Sequence, residues 1–140
     1  MPMEHLLVDS NFLVARFNRG DRHHREASKF LSEQKEAGEI GYSLVYTDYI
    51  FDETITAILF HSNRHDIAAA AGKTLRESSL EMVRIEPPVF EAAWSLFLDR
   101  PDKHWSFTDC TSFVLMEKLG IRGALTFDRN FREAGFATFP

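Results

Sequence analysis

Short apolar segments alternate with helical ones along this chain, and that alternation limits the fold more than any other feature. His5 to Val8 reads as a strand, followed by a helical pattern from Asn11 to Phe17 and a second helix over Arg22 to Ala37, with Ala27, Phe30 and Leu31 inward and Gly38 as its cap. A strand over Ile40 to Leu44 comes next, then helices over Thr47 to His61 and His65 to Glu77. Leu80 to Ile85 reads as the third strand, Pro87-Pro88 opens a helix through Leu98, and Ser106 to Leu119 is a helix ended by Gly120. Gly123 to Phe127 is the fourth strand, Asn130 to Ala134 a short helix, and Phe136 to Thr138 an edge strand. Strands joined through helices need crossover connections, which give a mainly parallel sheet covered on both faces. The expected class is α/β, a three-layer α/β/α sandwich with a four- or five-stranded sheet, in one domain over residues 1–140.

Sheets of this kind bind ligands outside the carboxyl ends of their strands. Asp9 directly follows the first strand, Asp128 closely follows the fourth, and Asp109 lies in the first turn of the helix before it. Glu53 sits in a helix that is apolar nearly all round, with Tyr46, Tyr49, Ala57 and Phe60 at helical spacing and Ile50, Phe51, Ile55, Ile58 and Leu59 on the other side. Each acid has a plain structural reading. Asp9 and Asp128 suit N-caps, Asp109 would close a capping box with Ser106, and Glu53 would be the one wet position on its helix. Capping does not require Glu53, however, and four carboxylates at one edge repel by about 4 kcal/mol per pair at about 4 Å and an effective dielectric of about 20. Such a cluster needs cations. All-oxygen acidic sites suit Mg²⁺ or Mn²⁺, and sites of that type support in-line displacement at phosphorus.

Sixteen lysines and arginines against twenty-one acids leave a formal charge of −5, which opposes binding of nucleic acid by bulk electrostatics alone. Two divalent cations would offset the charge of four carboxylates and remove that objection. Cys110 is the only cysteine, so neither an intramolecular disulfide nor a Cys-rich zinc site is available. The six histidines show no metal-binding spacing, and nothing supports a nucleophilic triad. The first basic residue is Arg16, the early apolar stretch is broken by Asp9, and the longest uncharged run, Thr54 to Asn63, is half a membrane span. A soluble, cytoplasmic protein without a membrane segment is the expectation. The basic run Arg19, Arg22, His23, His24, Arg25 reads as a charged loop and helix start, since no aromatic residues interleave with it. Asp48, Asp52 and Asp102 read as solvated charges, and Trp94, Trp105 and the phenylalanines as mostly core.

Four blocks carry a family resemblance: Leu7-Val8-Asp9-Ser10 with Phe12 and Leu13, Glu53 in its apolar helix, Ser106-Phe107-Thr108-Asp109, and Leu125-Thr126-Phe127-Asp128-Arg129-Asn130-Phe131. With the acids 44, 56 and 19 residues apart, nearly the whole chain resembles the PIN domain of metal-dependent ribonucleases, and within it the VapC-type toxins of toxin–antitoxin pairs. The resemblance implies that Asp9, Glu53, Asp109 and Asp128 bind Mg²⁺ or Mn²⁺ and position water for endonucleolytic cleavage of RNA. Asp128 would act through water or a second ion. By the same resemblance Ser10 and Thr126 are hydroxyls beside the metal centre that orient water or a phosphate oxygen, and Asn130 is a further polar contributor. A cognate antitoxin and a homodimer are the implied partners. A DNA or flap-type nuclease and a non-catalytic binding module on the same fold are the alternatives. A haloacid dehalogenase-type phosphatase would need an aspartate where Asn11 stands, a receiver domain does not fit Ile85-Glu86-Pro87, and no Gly-rich phosphate loop is present.

Overall fold

Leu6, Leu7 and Val8 are buried whichever way their side chains point, so past its exposed first residue β1 (His5–Val8) has no solvent face. The structure is a computed structural model that describes residues 4–38 and 41–140. After β1 come α1 (Ser10–Phe17), α2 (His24–Ala37), β2 (Ser43–Thr47), α3 (Asp48–Ser62), α4 (His65–Glu77) and β3 (Glu81–Val83), then α5 (Pro87–Asp99), α6 (Phe107–Leu119), β4 (Gly123–Leu125), α7 (Asn130–Glu133) and β5 (Ala137–Phe139). The strands pair in parallel throughout, in the order β3-β2-β1-β4-β5, which gives the α/β architecture that the alternation predicts. Helices α1 to α4 pack among themselves, as do α5 to α7. Leu7, Phe12, Tyr46, Ile50, Phe113 and Phe131 from both groups and the sheet share one core. Among the described residues no helix is long and apolar enough to cross a membrane.

Sequence order reverses direction across the β1/β4 pair, because β2 and β3 continue to one side of β1 and β4 and β5 lie on the other. Chains leaving β1 and β4 therefore diverge and open a crevice at their carboxyl ends, the usual ligand position in such sheets. Leu7 pairs with Ala124 and Val8 with Leu125, and the Asp9 amide donates to the Leu125 carbonyl at 2.9 Å. Asp9 is thus held at the mouth of the crevice by the sheet itself.

Some boundaries differ from those read in the sequence. The second strand runs over Ser43–Thr47 rather than ending at Leu44, because buried Val45, Tyr46 and Thr47 pair with β3 up to the point where Thr47 caps α3. Its expected start at Ile40 lies outside the described residues. The third strand stops at Val83, since the Ile85 amide turns to the Asp48 carboxylate at 2.9 Å. Asp48 is therefore a half-buried tie between α3 and that loop, not a solvated charge. Asp52 is exposed, and exposed Asp102 is paired with Arg100. The fourth strand ends at Leu125; the Thr126 amide still bonds the Phe139 carbonyl, and the Phe127 amide then turns to the Asn11 side chain.

Candidate active site

Asp9 ends β1 and caps α1. Its Oδ1 accepts from the Ser10 amide at 2.8 Å and its Oδ2 from the Thr126 hydroxyl at 3.0 Å. Thr126 follows β4, and its hydroxyl has a full complement of partners. It accepts from Asn11 Nδ2 at 3.1 Å and from the Asp128 amide at 3.1 Å, and its one proton has Asp9 Oδ2 at 3.0 Å as the nearer acceptor and Asn11 Oδ1 at 3.3 Å as the farther. Asn11 in turn accepts the Phe127 amide on Oδ1 at 3.1 Å. Asn11 is a site-building residue, though in the sequence it stands out only as the place where a haloacid dehalogenase-type phosphatase would carry aspartate. Its partners lie 115 residues away or more, so no local pattern marks it.

Glu53 projects from α3, half-buried, and its Oε1 accepts the Ser10 hydroxyl at 2.9 Å. The Ser10 proton is thereby directed to Glu53. Asp109 completes the capping box of α6, with the Ser106 hydroxyl accepting the Asp109 amide at 2.9 Å and Asp109 Oδ2 accepting the Ser106 amide at 3.1 Å. The same Oδ2 accepts Asn130 Nδ2 at 3.0 Å. Asp109 thus both caps its helix and lines the crevice, so the capping role does not take its carboxylate away from the cavity. Asp128 is exposed and does not cap α7. It folds back in a turn, Oδ1 accepting the Asn130 amide at 3.0 Å, while Oδ2 takes the Asn130 side chain at 3.3 Å. Asn130 therefore links Asp109 to Asp128.

Asp9, Glu53, Asp109 and Asp128 line one cavity of about 520 Å³, with Ser10, Asn11 and Asn130 beside them. Thr126 lies buried behind Asp9 and outside the lining. Burial, then the charge of Asp109, pushes the Asp9 carboxyl up to about 7, with a smaller push from Glu53. Burial also raises Glu53, as does the Asp109 charge. Asp109 is raised by burial, against the bonds from Ser106 and Asn130. Among the described residues no three Asp, Glu, His or Cys side chains converge into a ready coordination cluster. The donor set is all carboxylate, amide and hydroxyl oxygen around strained negative charge, which fits a hard divalent cation and not a thiolate-loving one.

Around this site the aromatic residues are not only core. Trp105 is buried, but Trp94 is 46% exposed beside Phe90 and Phe97 on α5. His23, from the basic run, stacks on Phe127 at 4.1 Å between ring centroids, and Phe127 stacks on Phe12. The basic run thus does contact an aromatic residue, supplied from the far side of the sequence.

A family model described as PIN domain matches residues 6–137. The chain is similar to the 23S rRNA-specific endonuclease VapC20 of Mycobacterium tuberculosis, 28% identical over 131 residues that span 94% of this chain and 95% of that one. The crystal structure of M. tuberculosis VapC20, described as a sarcin–ricin loop cleaving toxin, matches with a TM-score of 0.83 at 27% identity, covering 94% of this chain and 96% of that one. VapBC2 from Rickettsia felis, solved bound to a DNA fragment from their promoter, matches at a TM-score of 0.67 and 9% identity over 96% and 97% of the two chains, a likeness of fold.

Proposed function

The chain belongs to the PIN domain family, and from that premise we propose that it is a divalent-metal-dependent endoribonuclease, the toxin of a toxin–antitoxin pair, which hydrolyses RNA phosphodiester bonds. The observation that carries this reading is the single cavity lined by carboxylates from four separate parts of the fold. The VapC20 relative, an rRNA endonuclease matched over nearly its whole length, supports RNA as the substrate class. Asp9, Glu53 and Asp109 would hold Mg²⁺ or Mn²⁺, with Asp128 assisting through water or toward a second ion. When bound, the cation supplies Lewis-acid polarisation of phosphate and water. The chain's own part is orientation. Ser10 aims Glu53, Thr126 aims Asp9, and Asn130 holds Asp109 and Asp128 together, so that the carboxylate oxygens left over can position the attacking water. The partners in this reading are an antitoxin, as in the VapBC assembly that shares the fold, and a second copy of the chain. Its place of action is the cytoplasm.

The test is cleavage of a panel of structured RNAs, including a sarcin–ricin loop hairpin, beside single-stranded DNA, with Mg²⁺, Mn²⁺ or EDTA. RNA cutting that needs the metal and falls about a hundredfold or more in Asp9→Asn is the expected result. Cutting of DNA alone would move the reading to a DNA nuclease. Neither cutting nor Mn²⁺ binding by calorimetry would leave the carboxylates as structural caps.

A further inference from the structure

The cavity that gathers the carboxylates is also lined by Lys103 and Trp105, which the chemistry above leaves unused. A polyanion entering it meets the repulsion of Asp9, Glu53, Asp109 and Asp128, so a cation on the protein that faces the same space has a large effect on binding. The two neighbouring arginines are engaged with acids, which leaves Lys103 and His104 as the basic side chains of the lining. Arg100 is closed into a two-bond pair with Asp102, at 3.0 Å for each bond, and Arg129 pairs with Glu133 at 3.9 Å. Lys103 makes no ion pair among the described residues.

Lys103 is also held in place. Its amide donates to the Arg100 carbonyl at 3.2 Å, closing a turn whose second residue is Pro101, a position where the fixed proline dihedral fits. Its ammonium lies 5.7 Å from the Trp105 ring centroid, and the Arg100 guanidinium lies 5.2 Å from it. Trp105 is buried, so the half-buried lysine stem has a fixed indole to rest on. We propose that Lys103, on the α5–α6 connection, is a substrate-positioning residue that contacts a phosphate of the RNA backbone and seats the strand in the cavity. This rests on the ribonuclease reading above.

The experiment measures kcat and KM against salt concentration, with Mn²⁺, for the RNA of the panel that the wild type cuts. Lys103→Met keeps a stem on Trp105 and removes only the charge, and Lys103→Arg keeps the charge. Expected for Lys103→Met is a KM about tenfold higher with kcat near wild type, and a salt dependence of kcat/KM shallower by about 0.7 in logarithmic slope. Lys103→Arg should retain wild-type values of both. An active Lys103→Met with wild-type KM and salt slope overturns the proposal while leaving the ribonuclease reading intact. Equal losses in Met and Arg variants also overturn it, since packing on Trp105 would then be the cause. A wild type that cuts no RNA overturns the ribonuclease reading, and this proposal with it.

Discussion

Asp9 is buried, and its carboxyl is pushed from an ordinary 3.8 to about 7, first by burial and then by Asp109. Between those two values the folded chain binds more protons than the unfolded one, so stability is highest below about pH 4 with respect to this group and declines as pH rises to about 7. Glu53 and Asp109, also raised, add to the same slope. Without divalent cations, urea denaturation from pH 4.5 to pH 7.5 should therefore show a loss of a few kcal/mol at most. Asp9→Asn keeps an acceptor for the Ser10 amide and should flatten much of that slope. A variant with the wild-type pH dependence would show that Asp9 is not its source. Thr126 offers a second test. Thr126→Val strips the donor from Asp9 and the acceptor from Asn11 Nδ2 and the Asp128 amide, at an expected cost of about 1–3 kcal/mol in urea denaturation, with Thr126→Ser much closer to wild type.

β4 is short, three residues, and its first residue has no room for a side chain. A Cβ on Gly123 would stand 2.8 Å from Leu6 Cδ2 and 2.9 Å from Phe139 Cε2. Gly123→Ala should cost about 1–3 kcal/mol by thermal or urea unfolding, because Leu6 is fully buried on the central strand β1 and Phe139 packs against the core from the edge strand β5. Loss of that strand's position also displaces Thr126, so activity should fall with stability. At this scale the sequence was readable where a signal is local. The strand–helix alternation, the Ser106–Asp109 capping box and the αL glycine that ends α6 all lie within a few residues of the element they define. β2 runs past its expected end because Val45, Tyr46 and Thr47 suit both a strand and the approach to a helix, and only pairing with β3 decides between them. Asn11, the Asp48–Ile85 bond and the His23–Phe127 stack depend on partners far along the chain, and no periodicity announces those. The four acids were legible for the opposite reason, since each sits beside an element boundary or in an apolar run.

Over the whole molecule the formal charge is −5, and four of the acids share one cavity. On the proposed metal-dependent reading, divalent cations should therefore act as folding ligands too. Mn²⁺ at about a hundred times its dissociation constant should add about 2.7 kcal/mol to stability. The gain should be larger at pH 8 than at pH 5, where raised carboxyl groups hold protons that compete with the metal. Asp109→Asn should lose most of this gain, and calorimetry should show weaker Mn²⁺ binding with the circular dichroism spectrum kept. An Asp109→Asn protein that Mn²⁺ stabilises as fully as wild type would remove Asp109 from the ligand set. The Thr126–Asp9 bond spans 117 residues, and the strand pair beneath it joins an early segment to a late one. During synthesis Asp9 and Glu53 leave the ribosome well before Asp109 and Asp128. The nascent polypeptide thus carries an unfinished pocket for most of its translation, and its four carboxylates meet only once β4 has slotted in beside β1.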